Sequence, residues 1–112
     1  MLKLGLKFER KWVDKMKDFT NKHIHANYKK SNRTYIGSLW FYDDGFEYKA
    51  KSVNSNIKMG KISYSEINNI TPVNTFAIIP NGILVKLKNG KAFNYIISDR
   101  KSVIKFLESK ID

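Results

Sequence analysis

The chain has 112 residues and a mass of 13.1 kDa; with 42% hydrophobic and 13% aromatic residues it fits one domain with a packed core, not a disordered chain. The absence of cysteine removes disulfides, thiolate metal clusters and thiol catalysis together, and no apolar run nears the ~18 residues of a membrane span. Twenty-one Lys and Arg against ten Asp and Glu give +11, which points to an acidic partner or surface. Residues 8 to about 20 read as a basic amphipathic helix. Phe8, Trp12, Val13, Met16 and Phe19 recur every three or four positions, with Lys11, Lys15, Lys17 and Lys22 mostly opposite. Such a stripe is expected to be covered by the domain itself or by a second copy in a homodimer. A helix lying on an anionic membrane is the competing reading.

From His23 the period changes to two. His23 to Tyr28 reads as a strand, and Lys29-Lys30-Ser31-Asn32-Arg33 as a polar connection. Tyr35 to Tyr42 is aromatic and β-prone, and Asp43-Asp44-Gly45 is a turn. Phe46, Tyr48 and Ala50 then alternate with Glu47, Lys49 and Lys51, the pattern of a hairpin with one wet face. After a loop from Ser52 to Asn56, strands are expected near Lys58–Tyr64 and Ile67–Val73. The apolar run Phe76–Ile79 and a Pro80-Asn81-Gly82 turn follow.

The last hairpin can be set by its own side chains. A three-residue loop, Lys88-Asn89-Gly90 with Gly90 in the left-handed region, pairs Val85 with Phe93 and Ile83 with Tyr95; a two-residue loop would mix the faces. Ser98 or Asp99 then caps a closing helix from about 99 to 111, whose buried face is Val103, Ile104, Leu107 and Ile111. The fold class is mainly β, with an N-terminal segment 1–22 and a β domain over 23–112.

Several segments resemble the GRAM domain family, which has the pleckstrin-homology superfold. Gly37-Ser38-Leu39-Trp40-Phe41-Tyr42 followed by Phe46-Glu47-Tyr48 is similar to the family's Gly-x-Leu-x-Leu-Thr and Leu-x-Phe run, with Tyr42 and Phe46 in place of Thr and Leu. Glu66-Ile67-Asn68-Asn69-Ile70 is similar to its Ile-rich segment. Ile79-Pro80-Asn81-Gly82-Ile83, Lys88-Asn89-Gly90-Lys91 and Asp99-Arg100-Lys101 resemble turns and a helix start of GRAM-like proteins of low-GC bacteria. The resemblance implies a PH-like barrel of two packed antiparallel sheets, about seven strands, capped by the C-terminal helix. It also implies a module that binds lipid headgroups or proteins through loops at the open end.

The residues themselves offer little chemistry. His23 and His25 share a strand face, but two imidazoles without a third ligand do not make a metal site. Asp43 and Asp44 precede Gly45, where Asp favours a turn. Met59-Gly60-Lys61-Ile62 lacks the parts of a phosphate loop. The expectation is no catalytic residue, no metal and no cofactor. The loops named by the resemblance carry Lys29, Lys30 and Arg33, then Lys58 and Lys61, then Lys88 and Lys91, candidates for holding anionic headgroups. Charge adds weight at one end: residues 1–34 hold ten basic and three acidic groups. The expected partner is an anionic phospholipid surface or an acidic protein, with nucleic acid the weaker candidate. The expected location is the cytoplasm, peripheral to the inner membrane face.

Overall fold

The computed structural model describes residues 16–52 and 59–111. Within them the chain forms strands β1 (His23–Lys30), β2 (Arg33–Phe41), β3 (Gly45–Ala50), β4 (Lys61–Ser63), β5 (Ile67–Thr75), β6 (Ile79–Leu87) and β7 (Ala92–Ile96), then helix α1 (Arg100–Ser109). One 3-10 turn, Tyr64–Glu66, joins β4 to β5. The strands make one antiparallel ladder in the order β4-β3-β2-β1-β7-β6-β5. The chain is therefore mostly β, with a single helix among the described residues.

The sheet is curled. In a flat sheet β3 and β7 would stand three strand spacings, roughly 14 Å, apart. Yet the Tyr95 ring of β7 lies 5.7 Å from Tyr48 and 6.3 Å from Phe46, both on β3. Inward-facing positions from every strand thus share one core with α1. Phe106 of the helix sits among Phe41 at 5.4 Å, Phe19 at 5.5 Å and Tyr64 at 6.3 Å. Asp99 precedes the helix at its N-cap, and Val103 and Leu107 are buried beside Phe106, while Ile104 and Ile111 pack on the margin.

The alternating pattern of β3 holds: Phe46 and Tyr48 are buried and Lys49 is exposed. The β6–β7 register pairs Val85 with Phe93 and Ile83 with Tyr95, and Gly90 has φ +91, as the three-residue loop requires. Three expectations change. Lys29, Lys30 and Arg33 belong to strands, because β1 and β2 continue to a Lys30↔Arg33 pair closed over Ser31 and Asn32, with Ser31 at φ +57. Pro80, Asn81 and Gly82 lie inside β6 rather than in a turn. The Asn81 carbonyl accepts the Ile97 N–H from β7, so Pro80, one position earlier, turns its backbone toward β5, where the register shifts between Val73 and Thr75 and a missing N–H is tolerated. Gly82 is needed for closeness instead, since a Cβ there would stand 2.9 Å from the Val73 carbonyl oxygen.

The third change concerns the N-terminal helix. Positions 8–15 of that stretch lie outside the described residues, but residues 16–20 are not helical. Asp18 takes the Thr20 N–H on its side chain at 2.9 Å, and Asn21 turns to φ +63 so that its N–H meets the Phe41 carbonyl. Local side-chain bonding here competes with helical backbone at these residues. Phe19, assigned to the apolar stripe, is buried at 9% exposure against Phe41 and Phe106.

The core is rich in tyrosine, and its hydroxyls are unevenly served. Tyr48 donates to the Tyr35 carbonyl and Tyr64 to the Tyr42 carbonyl, each at 2.9 Å. Burial pushes the Tyr64 hydroxyl up to about 12 and raises Tyr95 further. The Tyr95 hydroxyl is fully buried with no partner among the described residues. An unserved buried hydroxyl costs about 1–3 kcal/mol. Tyr95→Phe is accordingly expected to raise the melting temperature by roughly 4 °C, measured by thermal unfolding followed by circular dichroism; a fall would mean the hydroxyl is satisfied.

Candidate functional site

Register defines one end of the sheet. The β1–β2 tip, the end of β3 (Gly37↔Ala50) and the start of β7 (Lys29↔Asn94) all lie there. Lys29 is half-buried along β1, while Lys30 and Arg33 are exposed partners across the tip. Lys88 and Lys91, in the turn before β7, are exposed at the same end. Beside the tip lies an open cleft of about 450 Å³ walled by Tyr35, Ile36 and Ala50. Ile36 projects outward at 57% exposure, and Lys51 stands at the rim. On the same outer face Trp40 stacks on His23 at 4.3 Å, and the Lys49 ammonium lies 4.4 Å from the Trp40 ring.

Lys61 does not join this group. It pairs with Asp44 at 2.9 Å to both carboxylate oxygens, at the β2–β3 turn. The reason is register: β4 runs back along β3, so Lys61 sits opposite Glu47, near the far end. Lys58 lies outside the described residues. Of the seven basic candidates, five stand together, one is neutralised elsewhere and one is not described.

Carboxylates are segregated from these cations. Residues 19–42 and 67–98 contain no Asp or Glu, so β1, β2, β5, β6 and β7 carry none. Asp18, Asp43 and Asp44 gather around Tyr64, where their field adds to the rise of its hydroxyl. Hydrogen bonds from Lys61 hold the Asp44 carboxyl below its ordinary range, and Lys17 and Ser102 do the same for Asp99. Asp44 and Asp99 are thus engaged locally, and the five strands present cations with no carboxylate of their own. Among the described residues no three His, Cys, Asp or Glu side chains converge as metal ligands would.

A second feature lies at the β5–β6 turn. Thr75 O accepts the Ile78 N–H at 3.2 Å, and the two central residues, Phe76 and Ala77, have φ +52 and +65. Positive φ at both positions is the sign pattern of a type I′ turn, which ordinarily takes Asn-Gly. Left-handed backbone costs roughly 1 kcal/mol or more at each side-chain-bearing residue. Phe76 and Ile78 are nonetheless each 79% exposed, and Ile79 is 42% exposed. Sequence pattern alone places Phe76–Ile79 as an apolar run ahead of a Pro80-Asn81-Gly82 turn; in the structure the turn falls within that run.

This tip is held in place. The Arg100 guanidinium donates to the Val73 carbonyl at 3.0 Å and the Asn74 side chain at 3.2 Å, and Thr75 bonds Asn81 across the hairpin. The Phe76 ring centroid is 5.7 Å from the Lys29 ammonium. Continued straight from Leu84, the hairpin would carry Phe76 more than ~20 Å from Lys29 at ~3.3 Å per residue. The hairpin must therefore bend, and a register shift between Val73 and Thr75 supplies the irregularity.

Comparison with protein-family models finds no match, and comparison with curated proteins finds none. Among solved structures, the chain is similar to the C-terminal domain of an unknown protein from Leishmania infantum. Identity is 15%, the TM-score is 0.69, and 96% of each chain is covered. That likeness concerns the fold.

Proposed function

We propose that this chain is a non-enzymatic PH-like module of GRAM type that associates with anionic membrane surfaces through its basic end. The strand order β4-β3-β2-β1-β7-β6-β5, curled and closed by one C-terminal helix, supports reading the sheet as a two-sheet barrel of that superfold. The observation that carries the function is the charge segregation: Lys29, Lys30, Arg33, Lys88 and Lys91 stand at one end of five strands that hold no carboxylate. Clustered surface cations are worth about 1 kcal/mol each near anionic lipid, enough for reversible docking. Only one is Arg, so the surface favours net negative charge over bidentate reading of a particular phosphate.

The test is co-sedimentation with vesicles of phosphatidylcholine alone and with about 30% phosphatidylserine. Binding to the anionic vesicles that fades at about 0.5 M salt, where screening length falls to roughly 4 Å, is expected. Equal sedimentation with both vesicles would sink the reading in favour of a scaffold that docks an acidic protein.

A further inference from the structure

We infer that the β5–β6 turn is a membrane wedge, in which Phe76, Ile78 and Ile79 enter the interfacial layer of an anionic bilayer. The proposal rests on the anionic-membrane reading above. Three apolar side chains are exposed side by side on a turn whose backbone is strained at both central residues. An Asn-Gly pair at 76 and 77 would relieve that strain and remove the exposed ring, so both departures point away from stability and toward use.

The shape selects the occupant. The tip is convex, and Arg100 braces its base, so it cannot fold down to cover its own side chains. A bilayer interface deforms around a convex apolar tip, whereas a protein partner needs a matching pocket. Charge agrees: no Asp or Glu occurs from residue 67 to 98, and cations stand at the tip, Lys29 against the ring and Arg100 at the base. Lys29 also belongs to the basic end, so the apolar tip adjoins that cation, while Lys88 and Lys91 follow the opposite end of β6. On docking, cations would meet headgroups while the ring and two isoleucines pass below them, the division of labour that interfacial anchors use.

The absence of cysteine allows a direct test. Ala77→Cys carrying an environment-sensitive fluorophore should shift to the blue on vesicles with about 30% phosphatidylserine and be quenched by lipids labelled near the headgroup. The same label at Asp43→Cys, on the acidic side, should stay in water. The double variant Phe76→Ser/Ile78→Ser should lose at least about tenfold in vesicle association. Phe76→Asn/Ala77→Gly guards against misfolding: it should melt at a higher temperature than the natural chain and still bind vesicles more weakly. If the natural chain binds while the label at position 77 stays in water and the tip variants bind equally well, the wedge is wrong and the electrostatic reading stands. If the natural chain does not bind anionic vesicles, both fail.

Discussion

Phe106→Ala is expected to lower the unfolding free energy by about 3–5 kcal/mol, among the largest losses a single position can give. The side chain is 2% exposed and is the one helix residue whose ring meets three other aromatic rings. Those rings come from the N-terminal segment, from β2 and from the 3-10 turn, so the cavity would open where separate parts of the chain are joined. Phe19, Phe41 and Tyr64 cannot all move inward at once, because Asn21 is tied to the Phe41 carbonyl and Tyr64 to the Tyr42 carbonyl. Incomplete collapse places the cost toward the upper end of the range. Urea unfolding followed by circular dichroism measures it. Phe106→Leu should recover much of the loss; an alanine variant within about 1 kcal/mol of the natural chain would show that α1 is not locked by this ring.

The second large effect is on binding. Lys29, Lys30 and Arg33 changed together to Gln should weaken association with anionic vesicles by about a hundredfold, since three charges at ~1 kcal/mol each amount to about two decades. Stability should move little: Lys30 and Arg33 are exposed, and the Arg33 guanidinium donates a long hydrogen bond to the Tyr35 hydroxyl at 3.5 Å. Lys61→Gln is the informative control. Its ammonium is engaged by Asp44 at the far end, so vesicle binding should change little. A loss from Lys61→Gln as large as from the triple variant would mean that total charge, not its placement, drives association.

Much of the β architecture was legible because its side chains alternate. Phe46 and Tyr48 against Glu47 and Lys49 set β3, and Gly90 with its flanking Val85 and Phe93 set the last hairpin to the residue. The β5–β6 turn was not legible for the opposite reason. Phe76 and Ala77 occupy backbone regions that their residue types avoid, so local rules moved the turn to Pro80-Asn81-Gly82. Phe106 escaped because the helix was phased on aliphatic residues, although it lies three positions after Val103, on the same face. The placement of the basic candidates was legible in part: the positions of five follow from the ends of β1, β2 and the β6–β7 turn, whereas that of Lys61 depends on how β4 runs back along β3, which no local pattern contains.

The segregation of carboxylates also has a kinetic meaning. Among the described residues, Asp18, Asp43 and Asp44 gather around Tyr64 while Lys29, Lys30, Arg33, Lys88 and Lys91 hold the other end, so these side chains contribute a dipole as well as a net charge. Within about a Debye length of a negative plane, such a dipole exerts a torque that turns the cationic end forward before contact. Fewer encounters are then wasted on the wrong face, and added salt slows arrival more than it hastens departure. A variant with the same net charge but its carboxylates scattered over β1 and β7 would reach the plane in random orientations, and stopped-flow mixing with vesicles would record a slower capture rate.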